Sequence, residues 1–384
     1  MITIAQITDT LSIGGAEKWL CTLCVKTDPY KFIHKVLATK QGGPLEEYLK
    51  KNGIYYKVLF QPRRSIILFP LFIYDVIKTF FGVYRFLKKC MPNIIHCHLL
   101  NSGYFGIICG FLLHIPVIYT IHSSNVLLLP VEEKRRFRDF LRKKTAFFLL
   151  NRVDALVAVS EAIKQEVSRL FPALRPSVKV IPNGIDTGAY KCAKRGKLRK
   201  ELNLDPDCIL LTNVGNLIPV KNQIMLLKVI SSLRLQYSNF KVLIVGEGPL
   251  RESLLHMAET LQIKEYVFFL GRRDDIPEIL SDTDIFVSTS KWEGLPLSIL
   301  EAMAAEKPIV AANVPGIKEV LEEGAGILVD LDDVNGFKEA ILELIKNPEK
   351  RKRLALLAKK VVDKKYSLKG SIRKWEALYI ELSR

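Results

Sequence analysis

Acidic residues are in short supply in this 384-residue chain: 40 Asp and Glu stand against 57 Lys and Arg, a formal charge of +17. Long apolar runs are also missing. The longest, Phe105–Ile121, is broken by His114 and Pro116, short of the roughly 20 clean residues that a membrane-spanning helix needs. The opening stretch Met1–Asp9 alternates like a strand. It carries no basic n-region or cleavage site, so no secretory signal is expected. Cysteine is neither dense nor paired. Seven residues, an odd number scattered through strand and helix patterns, exclude a disulfide framework and fit a reducing cytoplasm. Cys21 and Cys24 have no second pair at a metal-site spacing and sit in a helical pattern, so core packing is favoured over redox or metal chemistry. No fibrous repeat is present, and 49% hydrophobic residues exclude disorder.

What remains is a folded globular protein long enough for two domains. It is basic yet slightly apolar, with a mean hydropathy of +0.15. Such a balance implies an anionic partner: nucleic acid, a membrane surface or a phosphorylated substrate. The charge is uneven. Residues 1–190 hold 26 basic and 13 acidic side chains, and residues 191–384 hold 31 and 27. The basic surface is therefore a property of the first half.

Both halves alternate short apolar runs with helical patterns. In the first half, Ile2–Thr8, Val36–Thr39, Ile54–Val58, Asn93–Cys97, Pro116–Ile121 and Ala155–Val159 read as strands. In the second, Ile209–Val214, Lys241–Val245, Tyr266–Leu270, Asp284–Thr289, Pro308–Ala311 and Gly326–Val329 do. Continuous apolar runs of this length suit parallel strands buried on both faces. The α/β grammar predicts two doubly wound, Rossmann-like domains facing a central cleft. The expected boundaries are 1–190, 191–365 and a terminal helix over 366–384 that crosses back to the first domain. Lys191–Lys200 reads as a linker.

Chemistry-bearing residues fall where strands run into loops. Gly14 and Gly15 follow the first strand and would let backbone N–H groups approach a phosphate or sugar at a helix N-terminus. After Val214–Gly215 come Asn216 and Lys221; a lysine before a helix can neutralise a diphosphate as a point charge. Glu293 precedes Gly294 at another strand exit, and Glu301 lies eight residues on, inside a helix expected to begin near Pro296. Each carboxylate could grip sugar hydroxyls, although acidic residues on a surface helix are equally common. His122 ends a first-half strand and could donate to a sugar hydroxyl or carry a proton. His96 and His98 alternate on one strand face, but a metal reading finds no further ligand at a suitable spacing. Asp282 and Asp284 read as a helix cap and a strand opening rather than a metal pair.

Taken in order along the chain, these stretches resemble retaining glycosyltransferase family 4, with the GT-B fold, of the bacterial polysaccharide-biosynthesis type. The resemblance rests on Gly14-Gly15-Ala16-Glu17, Ile95-His96-Cys97-His98, Thr120-Ile121-His122, Val159-Ser160-Glu161 and Ile181-Pro182-Asn183-Gly184-Ile185-Asp186. It continues with Val214-Gly215-Asn216-Leu217 and Lys221, Val245-Gly246-Glu247-Gly248-Pro249, Leu270-Gly271-Arg272, and the paired glutamates. It implies a nucleotide-sugar donor, expected to be a UDP-linked hexose or N-acetylhexosamine, held by the second domain. The acceptor, a saccharide or a polyprenyl-diphosphate-linked saccharide, would be held mainly by the first. Under that resemblance Lys221 binds the diphosphate and Glu301 the ribose. Glu293 and the backbone of Gly294, Leu295, Leu297 and Ser298 face the sugar and phosphate, and the backbone around Arg272 reads the base. Gly15 admits the ligand and His122 contacts the sugar. It also implies no metal and no cofactor. Two departures stand out: Asn216 replaces the usual Arg, removing one cation from the diphosphate, and Leu295-Pro296 replaces the commoner Phe-Gly. A GT-B epimerase or phosphorylase, or a catalytically silent nucleotide-sugar binder, would share the pattern.

Two segments of the first half combine basic with apolar residues: Ser65–Cys90, rich in Phe and Ile before Lys88-Lys89, and Glu132–Leu150, with Lys134 through Lys144 followed by Phe147-Phe148. They suit an anionic bilayer surface, and predict a cytoplasmic enzyme, peripheral on the inner face of the cell membrane. No nucleic-acid recognition motif accompanies the charge.

Overall fold

The computed structural model describes residues 1–60, 69–123 and 136–383. The chain divides into two units, Met1–Asn183 with Ser371–Arg384, and Gly184–Gly370. Each is built on one parallel sheet.

In the first unit the strands are β1 (Ile2–Thr10), β2 (Phe32–Gln41), β3 (Tyr55–Val58), β4 (Ile94–His98), β5 (Val117–Ile121), β6 (Ala155–Ala158) and β7 (Val178–Val180). Their spatial order is β3-β2-β1-β4-β5-β6-β7. In the second they are β8 (Ile209–Val214), β9 (Phe240–Val245), β10 (Val267–Gly271), β11 (Ile285–Ser288), β12 (Ile309–Ala312) and β13 (Ile327–Val329), ordered β10-β9-β8-β11-β12-β13. Every residue of β4, β5, β6, β11 and β12 is buried. Strands covered on both faces need no polar alternation, which is why β6 and β12 are unbroken apolar runs. In each sheet the chain winds one way, returns, and winds the other. The reversal lies between β1 and β4 in one sheet, and between β8 and β11 in the other. Crevices at the carboxyl ends of strands beside such a reversal are where ligands bind in this class of sheet.

The helix Leu368–Leu382 closes the first unit. Trp375 and Tyr379 are fully buried; Trp375 stacks on His96 with ring centroids 4.6 Å apart, and Tyr379 lies 5.8 Å from the Phe32 ring. Cys21 and Cys24 pack in an apolar cluster with Leu11, Leu20, Val36 and Leu49. Burial pushes the Cys21 thiol up to about 12, so neither is poised as a thiolate.

Three expectations change. The boundary falls after Asn183, not 190, and residues 191–200 are no linker. The helices Thr187–Lys191 and Lys197–Glu201 belong to the second unit. The Asp282 carboxylate binds the N-terminus of the latter, accepting from the backbone N–H of Gly196, of Leu198 at 2.9 Å and of Arg199 at 3.2 Å. Asp282 is thus a cap, but of a helix over 80 residues upstream rather than of its own helix, Ile276–Asp282. Asp284 pairs with Arg199 at 2.7 Å and accepts from the Leu210 N–H at 2.8 Å. Finally, β7 is only three residues long, too short for a periodicity to mark it.

Candidate active site

The two loops beside the strand reversal of the second unit are stitched to each other. Thr289, just past β11, donates its hydroxyl to the carbonyls of Lys221 (3.2 Å) and Asn222 (3.0 Å). The Lys291 N–H donates to the Val220 carbonyl at 2.8 Å. These bonds bring Lys221, which follows β8, to Glu293, which follows β11. Lys221 Nζ lies 2.5 Å from Glu293 Oε1, with side chains 22% and 11% exposed. An ion pair this little hydrated holds both heads at defined positions.

Glycine makes the approach of neighbouring backbones possible. Gly246, at the end of β9 with φ +142°, lies where a Cβ would strike the Gly215 carbonyl. Gly316, in the helix Pro315–Val320, leaves room for the carbonyls of Glu293 and Gly294. No side chain fits at either position, so the loops after β8, β9 and β11 close on one another.

Pro296 was expected at the first helical position. It is instead the N-cap, in extended geometry at φ −77° and ψ 91°, and the helix runs Leu297–Ala304. The N–H groups of Ile299 and Leu300 return to the Pro296 carbonyl at 3.0 and 3.1 Å. Those of Leu297 and Ser298 lie ahead of the first helical hydrogen bond. Gly294 and Leu295 are buried beside them. Glu301, one turn further on, is held by the hydroxyl of Tyr190. Burial chiefly, and then the Glu301 charge, push the Tyr190 phenol well above its usual value, keeping it a donor. Sequence reasoning missed Tyr190, because it was assigned to the other domain and its partner lies more than a hundred residues away.

Asn216 is exposed; its backbone carbonyl accepts from Gln223 Nε2 at 3.1 Å. Arg272, at the end of β10, is also exposed, 3.5 Å from Asp274. Its neighbour Arg273 is the structural one. It bridges Glu201 at 2.6 Å and Asp275 at 2.8 Å, tying the helix Lys197–Glu201 to the segment after β10.

In the first unit Gly15 is exposed and opens the helix Gly15–Lys26, capped by Gly14. The Glu17 carboxyl folds back over Gly14 and accepts from the Thr10 hydroxyl at 3.1 Å. Its burial raises its pKa. His122, just past β5, is half-buried, and its Nε2 lies 3.0 Å from Nδ1 of His98. His96 and His98 are wholly buried and committed to protein partners. His96 bonds Tyr379 at 2.8 Å and Thr120 at 2.7 Å, and His98 bonds Gln6 at 2.8 Å. Burial lowers the pKa of each, that of His122 to about 4, so all three rings are neutral at pH 7. Gln6, a fully buried polar residue in the middle of β1, also went unremarked in the sequence. Its signal is an amide side chain in mid-strand, set directly between the apolar Ala5 and Ile7.

Two family models cover the chain in succession, Glycosyltransferase Family 4 over residues 13–189 and Glycosyl transferases group 1 over 194–361. An Escherichia coli UDP-Gal:alpha-D-GlcNAc-diphosphoundecaprenol alpha-1,3-galactosyltransferase is 30% identical over 319 residues, 80% of this chain and 79% of its own length. The chain belongs to glycosyltransferase family 4. It is therefore a hexosyltransferase-type enzyme, and its relatives serve glycan biosynthesis. Another is the Bacillus anthracis N-acetyl-alpha-D-glucosaminyl L-malate synthase, 25% identical with 76% and 75% covered. The family's GT-B fold is matched by HepE from Anabaena in complex with UDP and glucose, at a TM-score of 0.82 and 22% identity over 99% of this chain and 100% of that one. WaaG, a glycosyltransferase of lipopolysaccharide biosynthesis, matches at 0.77 and 14% identity over 98% and 99%.

Proposed function

We propose that this family 4 enzyme transfers a hexose or N-acetylhexosamine from a UDP-sugar, with retention, to a saccharide on a polyprenyl diphosphate at an anionic membrane surface. The observation that carries the reading is the Lys221–Glu293 pair beside the β8–β11 reversal, with the first-turn N–H groups of Leu297 and Ser298 close in the chain. Together they supply a cation and backbone donors for a leaving diphosphate, and a carboxylate for a sugar. In this reading the donor diphosphate takes up Lys221, Glu301 grips the ribose with Tyr190 behind it, and Glu293 orients the sugar. The base lies against the backbone around Arg272, and within the first unit Gly15 and His122 contact a sugar. The acceptor hydroxyl attacks C1 on the face that the diphosphate leaves. As the C1–O bond breaks, the departing phosphate oxygen takes the hydroxyl proton, so no covalent enzyme intermediate forms. Donor charge is met by lysine and backbone donors, and no metal or other cofactor is called on.

The E. coli relative's name, with its UDP-Gal and diphosphoundecaprenol, supports the donor and the lipid-linked acceptor. Membrane contact is supported by the helix Phe69–Cys90. Leu71, Tyr74, Lys78, Phe81, Arg85 and Lys88 are all exposed and recur at helical spacing as one apolar and basic stripe. Ile108, Phe111 and Leu112 on the helix Leu100–Leu113 are exposed as well. Residues 65–68 and 132–135 of the two basic segments lie outside the described residues. Among the described residues no helix is long and apolar enough to cross a membrane.

The test is a thermal-unfolding screen of nucleotide sugars, followed by transfer assays with the protected donor. Nucleoside diphosphate released only when a lipid-linked acceptor is present supports transfer. Epimerised donor or phosphate-dependent cleavage would replace it with the epimerase or phosphorylase reading, and protection without turnover with the silent binder.

A further inference from the structure

The buried histidines of the first unit form one hydrogen-bonded network, and its proton count is closed by a single residue. Gln6 Nε2 lies 3.1 Å from His34 Nδ1 and donates to the Tyr379 hydroxyl at 3.1 Å, while Gln6 Oε1 lies 2.8 Å from His98 Nε2. An amide oxygen only accepts, so His98 carries its proton on Nε2 and leaves Nδ1 as a lone pair. That lone pair faces His122 Nε2 at 3.0 Å, so the proton between the two rings belongs to His122. On the other branch the Gln6 amide nitrogen, which only donates, puts the His34 proton on Nε2, toward Thr27 at 2.8 Å, while His96 Nε2 faces the Thr120 hydroxyl at 2.7 Å. The hydroxyl of Tyr379 accepts from Gln6 and lies 2.8 Å from His96 Nδ1. Every donor of the network then has an acceptor. Turning the Gln6 amide over would reverse the proton position of His34, His98 and His122 at once, because none of these three rings can change alone without setting two protons or two lone pairs face to face.

We infer that Gln6 is a positioning residue: through His98 it fixes the tautomer of His122, so that the remaining nitrogen of the half-exposed ring, Nδ1, meets a sugar hydroxyl with a lone pair and not with a proton. This inference rests on the sugar contact proposed above for His122, and it reverses the donor role expected of that ring from sequence. His122 reads the hydroxyl as a donor. Burial, which holds the network histidines neutral, keeps both nitrogens distinct. Gln6 itself is fully buried and acts only through His98.

The test is ¹⁵N–¹H correlation of the histidine rings in the full chain, labelled at its six histidines, which reports the protonated nitrogen of each ring without any sugar present. The wild type is expected to show His122 protonated on Nε2. Gln6→Met should leave His122 a mixture of both tautomers and lower kcat/KM roughly tenfold, about one hydrogen bond's worth of binding. Tyr379→Phe cuts the other branch and should leave the His122 tautomer unchanged. Should Gln6→Met not fold, Gln6→Glu serves: its carboxylate still accepts from His98, so His122 keeps its proton on Nε2, whereas His34 turns round. A wild-type His122 protonated on Nδ1, or a His122 spectrum indifferent to Gln6→Met, would overturn the inference. A tautomer that shifts while turnover does not would contradict the sugar contact and leave the relay standing.

Discussion

Two sheets of the same topology stand in this chain, and they meet their surroundings with opposite chemistry. Each is parallel and reverses its winding once. At that point the second unit carries a charged pair, Lys221 and Glu293, on loops pinned by Thr289. The first carries neutral imidazoles wired to Gln6 and Tyr379, with His34 pushed down to about 3 by burial. The comparison separates what a fold sets from what its residues add. Topology decides where strand ends leave a crevice, and the side chains at those ends decide whether it favours a diphosphate or a sugar. A leaving diphosphate needs cations and N–H donors. A hydroxyl needs one oriented nitrogen.

The largest expected effect comes from removing the charge on the second unit. Lys221→Ala should lower kcat/KM for the donor by roughly a hundredfold or more, on the scale of a lost charge-assisted contact that also strands Glu293. Steady-state kinetics would show it. The two glutamates should then split: Glu293→Ala lowers kcat by about a hundredfold, whereas Glu301→Ala raises the donor KM about tenfold. Equal behaviour of the two variants would erase the distinction between sugar and ribose ends. In the first unit the comparison breaks through acid. His34 titrates near 3 when folded against 6.5 unfolded, so its stabilising effect is complete above about pH 6.5 and declines as pH falls toward 3. At pH 5 this one ring should account for about 2 kcal/mol of lost stability. Urea midpoints at pH 7 and 5 would register the loss, and His34→Gln should remove this ring's share of it, leaving that of His96, His98 and His122, whose pKa values burial also lowers. A smaller gain tests the departure at position 216. Asn216→Arg returns a cation to the exposed loop after β8 and should raise kcat about threefold. Smallest is Tyr190→Phe, which removes one hydroxyl from the Glu301 carboxylate and should raise the donor KM about twofold.

How far the sequence reaches follows from what each feature depends on. The central strands of both sheets are legible because burial on two faces writes an apolar run, visible at β6 or β12 without any neighbour, whereas the three-residue edge strand β7 is not. Gly14, Gly15, Lys221 and Glu293 were legible as strand-exit residues for the same local reason. The Lys221–Glu293 bond was not, since 72 residues separate them and nothing local announces that their loops are stitched. Asp282 shows the limit well. A capping aspartate was expected, but which helix it caps is decided by the packing of residues 196–199. His122 was read correctly as a strand-end residue, while its tautomer depends on Gln6 in a strand two places away in the sheet.

If the charged strand ends of the second unit hold a nucleoside diphosphate through Lys221, affinity for UDP must depend on that lysine. This dependence is tested most directly by calorimetric titration of UDP into the wild-type chain and into Lys221→Ala. One site per chain is expected in the wild type and at least a tenfold weaker one in the variant, about 1.4 kcal/mol of binding free energy. Equal affinity in the two proteins would contradict it.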